Sequence, residues 1–99
     1  MKYGKVPGIE SPVSKLVIGS MVCTTEDMPL TRDLMDAFVA AGGNCIDTAH
    51  IYGGGKSERA LGQWFQERGN RDQIVLLDKG AHHNSEGPRV NRQGIEQDL

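Results

Sequence analysis

The 99-residue chain carries only two cysteines, Cys23 and Cys45, and they stand at no metal-ligand spacing. That excludes a zinc-type site and a dense disulfide framework. Both read as small buried thiols of a cytosolic protein. Long apolar runs are missing as well. None approaches the roughly 18 residues that a spanning helix needs, so no membrane partner is expected. Met1 to Pro7 is positively charged, but no apolar stretch follows, so a signal peptide is not expected.

An excess of one charge is lacking too. Eleven Lys and Arg stand against 13 Asp and Glu, a net charge of −2. This leaves no footprint for nucleic acid or an anionic membrane. Large apolar residues are few: seven Leu, six Ile, seven Val and two Phe, 22 in all. That is only just above the level of disordered chains, so a single domain with a modest core is expected. There is no repeat and no low-complexity tract. Glycine is abundant instead, at 13 residues, nearly double the average of about 7%. Loops and close backbone approaches should therefore matter.

Tyr3 to Pro12, with Gly4, Pro7 and Gly8, reads as a short hairpin or loop. Leu16-Val17-Ile18 reads as a buried strand ending at Gly19-Ser20. Pro29 and Thr31 precede a helical pattern in which Leu30, Leu34, Phe38 and Ala41 share a face, and Gly42-Gly43 stops it. Cys45 to Ala49 reads as a second strand. A turn at Gly53-Gly54-Gly55 follows, then a helix capped by Ser57 and ended by Gly69. Ile74 to Leu77 reads as a third buried strand, ending at Asp78-Lys79-Gly80. Asn91 caps a third helix that has barely begun at Leu99.

The order is β-α-β-α-β-(α), with strands starting near Leu16, Cys45 and Ile74, about 29 residues apart. Such alternation means an α/β fold with a parallel sheet and helical crossovers. It leaves an open sheet and a closed barrel both possible. In either, function gathers at the C-terminal strand ends. Those ends hold Gly19-Ser20-Met21, Asp47 with Tyr52, and Lys79. A free phenol is a poor acid at neutral pH. A nearby ammonium favours the phenolate, and a carboxylate holds the ammonium in place. Such a trio can protonate a developing alkoxide, as carbonyl reduction by a hydride donor requires.

Gly43-Asn44-Cys45-Ile46-Asp47-Thr48-Ala49-His50-Ile51-Tyr52-Gly53, followed by Ser57-Glu58-Arg59-Ala60-Leu61-Gly62, resembles the signature of the aldo-keto reductases. Lys79 falls where that family has its lysine, and the opening hairpin and Leu16 to Met21 resemble the family's start. The likeness covers nearly all of the chain. It implies the N-terminal part of a (β/α)8 TIM barrel, about three of its eight βα units, preceded by a hairpin at the barrel base. It implies reduction of a small-molecule aldehyde or ketone with NADPH, or with NADH. Tyr52 would be the general acid. Lys79 would stand beside it as the activating ammonium, and Asp47 would pair with Lys79 near the nicotinamide ribose. Gly19, Ser20 and Met21 would lie along the nicotinamide. His50 and Ile51 would help wall the substrate site. No metal is implied.

Two departures from the family pattern stand out. The triple glycine places Glu58 eleven residues after Asp47, a longer turn that points to a bacterial-type branch. The family's catalytic histidine sits on a fourth strand, and its pyrophosphate and adenosine-phosphate sites lie later still. A whole barrel runs to about 250 residues, so residues 1–99 are expected to be an incomplete domain, the leading part of a longer enzyme. Taken alone, three parallel strands expose an edge and a face, which predicts poor solubility or a molten state. The other functional class is an inactive truncated or interaction protein that pairs through its open sheet edge. Auxiliary subunits of ion channels share the ancestry. The residues specify neither substrate nor oligomeric state.

Blander readings compete at several positions. Gly53-Gly54-Gly55-Lys56-Ser57 resembles a phosphate loop, but His50 stands where its first glycine is required. Asp47 on its own could be a turn cap, Lys79 a snorkelling surface lysine and Tyr52 a core aromatic. His82-His83 read as a solvated loop bordering the pocket. Trp64 and Phe65 read as packing against the sheet, and Glu67, Arg68, Arg71 and Asp72 as a solvated helix end.

Overall fold

The computed structural model describes residues 1–99. A small hairpin comes first: β1 (Tyr3–Gly4) pairs antiparallel with β2 (Val13–Ser14). The main sheet has three parallel strands in the order β3 (Ile18–Gly19), β4 (Cys45–Ala49) and β5 (Val75–Lys79). Helices α1 (Met28–Ala40) and α2 (Lys56–Arg68) make the two crossovers, and α3 (Arg92–Asp98) follows. The molecule measures 41 × 35 × 19 Å. Its thin dimension allows one sheet and one layer of helices, so the second face of the sheet has little cover.

Alternation along the strands divides the residues between those faces. Ile18, Ile46 and Leu76 pack with Met35, Leu61, Trp64, Phe65 and Ile74 in the core beneath the helices. Asp47 and Leu77 are paired across the sheet on the opposite face. There Val17, Cys45, Val75 and Leu77 line an apolar groove of about 440 Å³ with the hairpin residues Val6 and Ile9. Asn44 anchors the hairpin at the N-terminal end of β4. Its side chain accepts from Ser14 N (2.7 Å) and donates to the Pro12 carbonyl (2.8 Å). The hairpin thus lies at the opposite end of the sheet from Lys79.

Several boundaries differ from the sequence reading. Leu16 and Val17 are not a buried strand: they are 67% and 48% exposed. Lys15 N still bonds to the Lys2 carbonyl at 2.8 Å, so the hairpin pairing runs up to Lys15, and only Ile18–Gly19 joins the main sheet. Asp27 caps α1, accepting from Leu30 N at 3.1 Å, and Pro29 lies inside the first turn, where its missing N–H costs nothing. Ser57 is not a cap. Gly55 holds that position at φ 93°, and the Ser57 hydroxyl is buried without a partner. β5 is less buried than expected, because its outer edge is unpaired and one face is open. The Gly69 stop and the Asn91 cap stand as read. No helix is long and apolar enough to cross a membrane.

The supposed solvated end of α2 instead ties α2 to α1. Arg68 makes a two-pronged bond to Asp36 (2.9 and 2.6 Å), and Trp64 Nε1 donates to the same carboxylate at 2.8 Å. Arg32 grips Glu67 in the same forked way, at 2.8 and 2.9 Å. Arg68 and then Trp64 hold the Asp36 carboxyl down at about 2, and Arg32 and then Gln63 do the same for Glu67. Both folded-state values lie below ordinary unfolded ones. Their stabilisation is therefore complete above the unfolded pKa and lost as pH falls through the folded value. The melting temperature should hold steady down to about pH 5 and drop between about pH 4 and 2. Asp36→Asn should flatten that drop. An unchanged acid slope in the variant contradicts the assignment.

Candidate active site

Strand register builds the site. Ala49 pairs with Lys79, and Asp47 lies two residues before Ala49, so Asp47 and Lys79 share the face turned away from the helices. Gly19 pairs with Asp47 on the other side, and Ser20 N donates to the Asp47 carbonyl at 2.9 Å. Tyr52 comes three residues after β4, at the start of a tight 3-10 turn that ends at Gly55. Gly53, Gly54 and Gly55 all have left-handed φ, at 58°, 62° and 93°. Three successive residues with a β-carbon would be strained there. The triple glycine is thus what lets the chain drop Tyr52 at the sheet rim and still enter α2 at once.

Asp47, Tyr52 and Lys79 meet. Lys79 Nζ donates to Asp47 Oδ1 and, at 3.0 Å, to the Tyr52 hydroxyl. The ammonium also lies 5.0 Å from the centre of the Tyr52 ring. The Asp47 carboxylate first, and the Tyr52 oxygen second, hold Lys79 above the ordinary lysine range. Because Lys79 donates to the tyrosine oxygen, the Tyr52 proton is left to donate to something else. An open depression of about 580 Å³ adjoins it, lined by Ala49, Tyr52, Lys79, Ala81, His82 and His83 among others. That volume suits a small molecule.

The remaining expected residues are dispersed around this centre. Ser20 is fully buried, and its hydroxyl has no partner; Met21 is 63% exposed. His50 does not line the depression. Its ring lies on the helix side of the sheet, between Glu58 Oε2 (3.9 Å) and Asp98 Oδ1 (3.8 Å). Ile51 is 43% exposed and lines no pocket. His82 and His83 do border the depression, with rings stacked at 4.2 Å. Sequence reasoning missed the cluster of Arg89 and Asp98 behind the loop, joined at 2.8 Å. Its only signal was a carboxylate seven residues past the Asn91 cap, on the end of a helix.

Comparisons with known proteins bear on the family and the fold. The sequence model described as the Aldo/keto reductase family matches residues 15–99. An aldo-keto reductase of Emericella nidulans is 42% identical over 82 residues, covering 78% of this chain and 19% of its own length. An NADP(+) aryl-alcohol dehydrogenase of Phanerodontia chrysosporium is 40% identical over 82 residues, covering 74% and 21%. The chain thus spans about a fifth of the length of these curated relatives. Among solved structures, the holo form of an aldo-keto reductase of Bacillus halodurans superposes with a TM-score of 0.78 at 27% identity, covering 98% of this chain and 33% of that one. The three βα units are accordingly a partial (β/α)8 barrel. By sequence, by fold and by the length of the match, the chain belongs to the aldo/keto reductase family.

Proposed function

We propose that the protein carrying this chain reduces a small aldehyde or ketone to an alcohol, with NADPH as its reductant and NADH as the second candidate. The observation that carries this reading is the contact chain Asp47–Lys79–Tyr52 beside an open depression. Residues 1–99 would be the leading βα units of one barrel domain in a cytoplasmic enzyme. Their free, buried Cys23 and Cys45 suit that compartment. The long glycine turn keeps the bacterial-type branch as our placement.

The strand ends fit the nicotinamide end of such a cofactor. Gly19 has open space where a β-carbon would stand, so a flat ring can approach the backbone. The buried Ser20 hydroxyl lacks a partner, and Asp47 keeps an oxygen that Lys79 does not take. Gly19, Ser20, Met21 and Asp47 would hold the ring and its ribose. When bound, the nicotinamide supplies a hydride to the carbonyl carbon. Tyr52 donates its proton to the carbonyl oxygen as negative charge builds there. Lys79 stabilises the phenolate left behind, and Asp47 keeps the ammonium aimed at it.

Assays of cofactor oxidation with small aldehydes test the proposal. Lys79→Met should lower kcat by on the order of a hundredfold or more. Asp47→Asn should cost less, because Lys79 would remain charged. Full turnover in Lys79→Met contradicts the assigned roles.

A further inference from the structure

The chain leaves β5 by a strained route. Ala81, two residues after Lys79, has φ 60° and is the single non-glycine residue with positive φ. A β-carbon disfavours that conformation, so neighbouring contacts must hold it. Its N–H donates to Asp98 Oδ2 at 2.7 Å. Asp98 sits at the end of α3 with its side chain 8% exposed. The same carboxylate accepts from Arg89 at 2.8 and 3.3 Å. Arg89 also donates to the His82 carbonyl at 3.0 Å and to the Gly94 carbonyl at 3.3 Å.

A β-carbon on Gly80 would stand 3.3 Å from the Asp98 β-carbon. Gly80, Ala81 and His82, the three residues after Lys79, are therefore each approached by Asp98 or by its arginine. On the strand side, His50 N donates to the Lys79 carbonyl at 2.9 Å. Arg89 and then the Ala81 N–H hold the Asp98 carboxyl down at about 2, so it stays charged at neutral pH. The other titratable groups facing it are His50, at 3.8 Å, and Glu58 and Asp78, which line with it a second depression, separate from the one beside Tyr52.

We propose that Asp98 is a positioning residue: its carboxylate fixes the exit of β5 and so aims Lys79 at Asp47 and Tyr52. Asp98 itself touches neither Lys79 Nζ nor the Tyr52 hydroxyl. The inference rests on reading Lys79 and Tyr52 as the working pair. Its test involves no turnover, so it succeeds or fails separately from the reductase reading.

The full chain, labelled with 13C-lysine, is titrated by NMR through the alkaline range, following the Cε signal of Lys79. Asp47→Asn calibrates the probe by removing the main partner of the ammonium. In Asp98→Ala the Lys79 midpoint should fall by about half a pH unit or more. Amide signals from α1 should stay in place. Asp98→Asn keeps an acceptor for Ala81 but loses the charged grip on Arg89, so its midpoint should fall between the two. A purely structural role would lower the melting temperature and leave the midpoint alone. An unchanged midpoint in the folded Ala variant overturns the proposal. If that variant does not fold, an unchanged midpoint in Asp98→Asn overturns it.

Discussion

Tyr52→Phe is expected to lower kcat by two to four orders of magnitude, on the order of what one positioned general acid contributes. The substitution removes one oxygen and one proton and keeps the ring. Lys79 would lose its 3.0 Å contact to the hydroxyl but keep Asp47. The ammonium therefore stays in place, and the strand ends around Gly19 and Asp47 keep their register. Cofactor affinity should change little, since Tyr52 is assigned to the substrate oxygen and not to the ribose. The diagnostic pattern is a collapse of kcat with an unchanged cofactor Kd. Binding is read by fluorescence titration and turnover by cofactor oxidation. Equal losses in both would mean that Tyr52 shapes the cofactor site instead.

Trp64→Ala is expected to be the most destabilising single change in the helix layer, costing about 3–5 kcal/mol. Trp64 is fully buried, sits in the main core cluster and tilts against Phe65 at 5.3 Å between ring centres. Truncation leaves a cavity between α2 and the sheet and strips Asp36 of a donor. Domains of ordinary stability hold only about 5–15 kcal/mol, so the loss takes a large share of the total. Trp64→Phe is the milder comparison. It keeps a six-membered ring in the core but loses the bond to the carboxylate and part of the packed volume, so a cost smaller than that of the alanine variant is expected. Urea unfolding followed by far-UV circular dichroism reads both variants. Equal losses would contradict the share assigned to packing of the remaining ring.

The parts of this architecture that were legible in the sequence are those that local chemistry dictates. Cys45 to Ala49 is short, opens on the apolar Cys45-Ile46 and is followed, after three intervening residues, by three glycines, so strand and turn could be read directly. Gly69 and Asn91 marked a helix end and a helix start through their own backbone and side-chain preferences. Asp47, Tyr52 and Lys79 could be singled out because they fall at strand ends. That they touch depends on register: Ala49 lies opposite Lys79, and a one-residue slip would turn Lys79 toward the helices. Spacing alone does not fix that register.

What escaped the sequence reading depends on contacts between distant segments. Arg32 and Glu67 are 35 residues apart, and Asp36 and Arg68 are 32 apart. Each looks like an ordinary surface charge until α1 lies on α2. Leu16 and Val17 look like strand residues, but the hairpin pairing runs up to Lys15 and the main sheet starts only at Ile18, which leaves the two exposed between them. His50 was expected at the substrate wall. It lies one residue past a strand whose side chains alternate, and its ring faces the helix layer with Glu58 and Asp98. Asp98 acts on Ala81 across 17 residues, a partnership that only the folded α3 creates.

The central claim is that hydride transfer to a carbonyl and proton transfer from Tyr52 occur at one site. The most direct measurement follows deuterium from NADPH dideuterated at C4 into the alcohol product by mass spectrometry, in the wild-type protein and in Tyr52→Phe. The account predicts deuterium on the carbinol carbon with the wild type and only a trace with the variant at equal cofactor occupancy. Unlabelled alcohol from the wild type, or equal labelling by the two proteins, would contradict it.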